Sequence, residues 1–163
     1  MITIRTARLA DVPTLTKLWS EFVKDQTEII IRNNPNSKPY LVKRPDAAKN
    51  FSDWAQRKVR SRSARVYIAE VDGKPAGFSL IFIRTGPPIM RLRGLGYIDD
   101  LFVKEEYRGL GISSKLYREA TKWFRQKGMR HVALTVGTGN EPAHSIYKKW
   151  GFFDYHVEMR KKL

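Results

Sequence analysis

Apolar positions along this chain recur with two different periods, and the switches between them mark out its elements. At the start, Ile2 and Ile4 alternate with Thr3 and Arg5, the period of a half-buried strand. From Asp11 the spacing lengthens. Val12, Leu15, Leu18, Trp19, Phe22 and Val23 share one helical face, with Asp11 as N-cap and Pro13 in the first turn. Asn33–Pro39 reads as a loop by its turn chemistry. A second helix is expected from about Asp46 to Arg60, with Ala47, Phe51, Trp54, Ala55 and Val59 on its apolar side. Strands follow at Val66–Val71 and Ala76–Arg84, joined at Asp72-Gly73, a hairpin dipeptide.

A further strand, Tyr97–Val103, runs into a glycine turn and then a helix over Ile112–Lys127. That helix buries Leu116, Ala120, Trp123 and Phe124 and is closed by Gly128. Next come a strand at His131–Val136, a polar turn at Gly137–Gly139, and a short helix from about Glu141 to Trp150 capped by Asn140. Phe152–Met159 is expected as the last strand. This order predicts an α/β mixed sheet with helices on both faces. No linker composition interrupts it, so residues 1–163 are expected to form one domain.

Composition narrows the class. With 42% hydrophobic and 12% aromatic residues the chain is globular, not disordered. The run Phe78–Ile83 is strand-sized, well short of the ~20 apolar residues of a membrane span, so no membrane partner is expected. Met1–Arg5 alternates and lacks a signal peptide's apolar core. The absence of cysteine excludes disulfides and thiolate chemistry, and a cytoplasmic protein is expected. His131, His144 and His156 are scattered without ligand spacing, so no metal is expected.

The charge is strongly positive, with 31 Lys and Arg against 16 Asp and Glu, a net +15. Such a field attracts polyanions and disfavours a polycationic substrate. Nucleic-acid binding is one class it suggests, yet no helix-turn-helix, zinc-finger or RNA-recognition signature supports that class. The densest cluster is Arg57, Lys58, Arg60, Arg62 and Arg65. The first three are expected on the solvated side of their helix.

The candidate chemistry lies in the glycine turn Glu106-Tyr107-Arg108-Gly109-Leu110-Gly111-Ile112-Ser113-Ser114. Glycines between a strand and a helix let the chain turn tightly and expose unpaired N–H groups at a helix N-terminus, an anion site suited to pyrophosphate. An earlier copy of the same letters, Arg93-Gly94-Leu95-Gly96, has no helix behind it and reads as a loop entering a strand. The turn is not a P-loop, and it lacks the third glycine of the dinucleotide fingerprint.

Arg108-x-x-Gly111-x-Ser113 after a strand, with Asn140-x-x-Ala143-x-x-x-Tyr147-x-x-x-Gly151-Phe152 downstream, resembles the GNAT (Gcn5-related) N-acetyltransferase superfamily over nearly the whole chain. The resemblance implies a mixed, mostly antiparallel sheet of six to seven strands with four helices on both faces. It implies acetyl-CoA as cosubstrate, bound at Arg108, Gly109, Leu110, Gly111, Ile112, Ser113 and Ser114 through turn N–H groups. The strand residues Leu101, Phe102 and Val103 would pair through their backbone with the pantetheine arm, and Asn140 and Ala143 belong to the same binding set. Tyr147 would lie near the sulfur as general acid. Ser113 stands where Gly or Ala is common, and its N–H is kept. A homodimer is a further expectation of the resemblance.

Acetyl transfer to an amine needs no protein nucleophile, but an ammonium must first lose a proton. Asp99 and Asp100 are the candidate bases. In a regular strand they point to opposite faces, so only one meets the cleft unless a bulge intervenes. The run Ile98–Val103 with Asn140-Glu141-Pro142 resembles polyamine N-acetyltransferases, where the first acidic position has an acid–base role; this favours Asp99. Anchoring of a substrate cation or a structural Arg is the alternative for both acids. The acceptor is left open among a small-molecule amine, a lysine side chain and a protein N-terminus, and a CoA-sensing module without turnover is the competing reading.

Overall fold

The structure is a computed structural model and describes residues 1–92 and 94–163. Its strands are β1 (Ile2–Thr6), β2 (Ala64–Val71), β3 (Lys74–Thr85), β4 (Gly94–Val103) and β5 (Val132–Leu134). Its helices are α1 (Val12–Asn33), α2 (Lys38–Leu41), α3 (Ala47–Arg60), α4 (Ile112–Gln126) and α5 (Glu141–Lys149). The five strands lie side by side in chain order; β1 to β4 are antiparallel and β5 runs parallel to β4. The Asp72-Gly73 turn joins β2 to β3 as expected, with φ of 48° and 76°.

Two apolar layers enclose the sheet. On one face, Leu15 and Leu18 of α1 and Phe51 and Ala55 of α3 pack on Val66, Ile68, Phe78, Leu80 and Phe102. On the other, Ile112, Leu116, Ala120, Trp123 and Phe124 of α4 pack on Tyr67, Ala69, Ile81 and Ile98. Each large side chain buried this way stabilises the fold by roughly 1.5–3 kcal/mol. No helix among the described residues is long and apolar enough to cross a membrane.

Several expectations are corrected. Asp11 does not cap α1 with its side chain. Its carboxylate instead takes two hydrogen bonds from the Arg5 guanidinium, at 2.8 and 2.9 Å, and one from the Arg8 N–H at 2.7 Å. A charge-assisted bidentate pair outcompetes a single cap bond. The expected loop Asn33–Pro39 contains a 3-10 turn and the start of α2, which makes five helices instead of four. The earlier glycine copy is not a loop: Gly94 and Gly96 lie inside β4, and Arg93 falls outside the described residues.

Among the described residues the sheet has five strands, not six or seven, because Phe152–Met159 forms none. Its alternating Phe153, Tyr155, Val157 and Met159 are 77%, 84%, 81% and 90% exposed. Alternation supplies strand propensity, but a strand also needs a ladder to join, and β5 on that side is three residues long.

Candidate active site

The site is organised by one irregularity in β4. Along the β3–β4 ladder Leu80 pairs with Asp100 and Ile81 with Ile98, so Asp99 is the extra, unpaired residue of a β-bulge. The bulge breaks strict alternation. Asp99 and Asp100 therefore both line one cavity of about 530 Å³, together with Trp19 of α1 and Phe51 and Trp54 of α3. On the other side of β4, pairing with β5 ends at Ile98–Leu134, and residues 101–103 have no strand partner there. The opening is a crevice of about 70 Å³ lined by Phe22, Gln26, Asp99, Leu101, Asn140, Ala143 and Tyr147 among others. Asp99 is the one described residue that lines both spaces.

The two carboxyl groups are unlike. Asp100 is 9% exposed, and burial, with the neighbouring Asp99 charge, pushes its pKa up to about 8. Asp99 is accessible, yet enough protein crowds it for desolvation to raise its pKa; Lys58 and Arg84 oppose that rise. Lys58 is not the solvated residue expected. Its ammonium lies 3.9 Å from the Phe82 ring centre and 5.2 Å from that of Trp54, and burial lowers its pKa. Arg84 lies over Tyr97 at 4.9 Å.

Neither cation was singled out as a site residue from sequence, though a signal existed for each. Lys58 is one helical turn after Trp54, and Arg84 shares a strand face with Phe82.

Tyr147 is held by aromatic packing. Tyr117 of α4 stacks on Trp150 at 4.2 Å, and Tyr147 rests against Trp150 at 5.7 Å and Phe152 at 6.0 Å. The end of α5 is closed by bonds from the Gly151 N–H to Lys148 O and from the Phe152 N–H to Tyr147 O, each 3.0 Å. Burial raises the Tyr147 pKa, so the phenol keeps its proton. At the other end of α5, Asn140 is the N-cap as expected: its Oδ1 accepts from the Ala143 N–H at 3.3 Å. Its Nδ2 donates to Gln26 Oε1 of α1 at 3.2 Å. Asn140 lines the crevice, but both of its polar ends are already engaged.

The glycine turn takes the expected form. Gly109 and Gly111 have φ of 80° and 74°, and Gly111 directly precedes α4. No side chain caps that helix, so its first-turn N–H groups, Ile112 to Ser114 among them, point their dipoles out of the helix end. A Cβ added at either glycine would meet nothing within 4 Å; conformation alone requires glycine there. Leu110 is exposed, while the Ile112 side chain is 1% exposed in the core and offers only its backbone. Phe102 is buried among Phe22 and Phe78, and its carbonyl is turned toward Gly77 of β3. Arg108 braces the turn, its Nε donating to Val103 O at 3.1 Å and its Nη2 to Asp25 of α1 at 2.8 Å. Val103 O, an acceptor expected for pantetheine pairing, is thus already engaged. Among the described residues no group of three His, Cys, Asp or Glu side chains is placed to hold a metal ion.

The bulge, the splayed strands and the glycine turn form one arrangement, and residues 21–152 match the Acetyltransferase (GNAT) family. The chain belongs to that family. It is 26% identical over 144 residues to an uncharacterized N-acetyltransferase of Methanocaldococcus jannaschii, covering 88% of this chain and 62% of the relative. It is 31% identical over 104 residues to an N-alpha-acetyltransferase of Sulfurisphaera tokodaii, covering 61% of this chain and 62% of the relative. The matches thus span less than two thirds of either relative's length. In three dimensions this GNAT chain is similar to a predicted acetyltransferase with acetyl-CoA from Clostridium acetobutylicum, with a TM-score of 0.79 and 18% identity. That similarity covers 99% of this chain and 96% of the other.

Proposed function

We propose that the protein is an N-acetyltransferase that moves the acetyl group of acetyl-CoA directly to a primary amine, with residues 1–163 acting as one domain. Family membership supports the reaction class. The observation that carries the mechanism is the placement of Asp99 between the larger cavity and the crevice. An amine in the first space and a thioester in the second meet at this carboxylate.

The chain's own groups fit the cosubstrate. Unpaired N–H groups at the start of α4 suit its pyrophosphate. The β4 edge at Leu101 to Val103, which no strand among the described residues covers, suits an extended amide-bearing arm at the groups left once Arg108 has taken the Val103 carbonyl. Acetyl-CoA supplies an activated acetyl thioester. Asp99 takes a proton from the acceptor ammonium, directly or through water, and releases it to solvent. The freed nitrogen forms the N–C bond as the C–S bond breaks, and sheds a second proton. Tyr147 gives its phenolic proton to the departing sulfur, and the second proton shed by nitrogen returns through solvent to the Tyr147 oxygen. The products are an acetamide and a free thiol. Desolvation raises the Asp99 pKa, which strengthens it as a base, and Lys58 and Arg84 oppose part of that rise.

The acceptor follows from the cavity, not from the turn. A protein α-amine is one source, since a relative is an N-alpha-acetyltransferase. The test is free-thiol release from acetyl-CoA across small amines, lysine peptides and N-terminal peptides, with thermal stabilisation by acetyl-CoA measured in parallel. Thiol release with at least one acceptor is expected. Stabilisation without turnover on any acceptor points to a CoA-sensing protein, and neither response refutes the reading altogether.

A further inference from the structure

We propose that the acceptor is a primary amine joined, through a flat apolar body, to an anionic group; this rests on the acetyl-transfer reading above. The lining of the larger cavity carries charges of both signs around an aromatic surface. On the β4 wall stand Asp99 and the buried Asp100, and Asp99 draws and deprotonates the ammonium in the reading above. The sides are aromatic, with Trp19 and Phe51 stacked at 4.4 Å and 11° and Phe51 against Trp54 at 5.8 Å. Lys43 and Arg44, from the segment between α2 and α3, line the same space.

Arg44 is already paired with Asp46 at 3.0 Å. Lys43 reaches only the Leu41 carbonyl, at 3.3 Å, and has no carboxylate partner among the described residues. Arg160, 5.1 Å from the ring centre of the lining residue Tyr40, is likewise already paired, with Glu158 at 2.6 Å, which leaves Lys43 as the cation for the anionic group.

A space of about 530 Å³ accommodates a ligand of one or two rings or a few residues. An amine with a second ammonium would set that charge against Lys43 and against the net +15 field. A carboxylate in the same place would pair with Lys43 instead. The shared chemistry is an amine and a carboxylate separated by an apolar spacer, whether in a free small molecule or at the N-terminus of an acidic peptide.

An isosteric series tests this on the full chain with acetyl-CoA present: 4-(aminomethyl)benzoate, benzylamine and p-xylylenediamine. Binding is read by quenching of tryptophan fluorescence, because Trp19 and Trp54 line the cavity, and turnover by thiol release. The benzoate is expected to bind at least tenfold more tightly than the diamine, with benzylamine between them. In the variant Lys43→Gln/Arg44→Gln that ratio should collapse to within about twofold. The peptides Ala-Phe-Asp-amide and Ala-Phe-Lys-amide run alongside. A preference for the anionic member in either series supports the proposal, and the series that shows it identifies the source. Equal binding, or a preference for the cationic member in both series, overturns it, whatever the turnover. Tight binding of the anionic member without thiol release leaves the ligand class standing and refutes acetyl transfer instead.

Discussion

The letters Gly-Leu-Gly occur at residues 94–96 and again at 109–111, and the two copies have nothing structural in common. The first lies in β4, with Gly96 beneath Phe124, where an added Cβ would stand 2.6 Å from the ring. The second is exposed, open to space, and takes left-handed backbone at both glycines. One copy uses the absence of a side chain to let a helix approach a strand; the other uses it to turn the chain into a helix N-terminus. The same contrast holds between neighbours Asp99 and Asp100. One carboxyl is accessible beside two cations, and the other is buried with its pKa displaced to about 8. Surroundings, not letters, assign the role.

The largest expected effect tests the carboxyl contrast. Between the ordinary value of 3.8 and about 8, folded Asp100 holds a proton that the unfolded chain lacks, so stability falls as pH rises through that window and levels off above it. Asp100→Asn should therefore stabilise the fold by an amount that grows from pH 4 to pH 8, reaching on the order of 3 kcal/mol, as read by denaturant unfolding at each pH. A gain independent of pH would put Asp100 outside this account.

Gly96→Ala comes next. Overpacking against a core phenylalanine should cost about 2 kcal/mol in denaturant unfolding, with acetyl-CoA affinity of the folded protein little changed.

Gly111→Ala should do the reverse. Strain at its φ of 74° costs about 1 kcal/mol, while the acetyl-CoA Kd from calorimetry rises about tenfold because the N–H cradle shifts. Gly94→Ala, whose nearest added contact is the Met129 sulfur at 3.6 Å, should stay within about 0.5 kcal/mol of the parent. If Gly96→Ala and Gly94→Ala prove equal, the packing distinction is wrong.

Much of this was legible in sequence because it is local. The order of β1 to β5, the left-handed glycines before α4, the Asn140 cap and the helical face that carries Tyr147 follow from spacing and turn chemistry. What escaped depends on partners distant in the chain. The place of the bulge at Asp99 was not legible from spacing, since it comes from the register between β4 and β3. A helical wheel put Lys58 in water, but Phe82 of the neighbouring strand lies beneath it. Asp11 had cap chemistry, but its carboxylate is held by Arg5. Phe152–Met159 alternates as a strand should, yet it has no ladder to join. Arg108 was expected at the cofactor, and no local spacing signals that its guanidinium also ties the turn to Asp25 of α1.

The central claim is that Asp99 is the base between the acceptor's space and the thioester's. It is tested most directly by thiol release at saturating acetyl-CoA and acceptor for the parent, Asp99→Asn and Asp100→Asn. The account predicts a kcat loss of about 100-fold or more for Asp99→Asn with an unchanged acetyl-CoA Kd, and a loss under about tenfold for Asp100→Asn. Full activity in Asp99→Asn, with the large loss falling on Asp100→Asn, would contradict it.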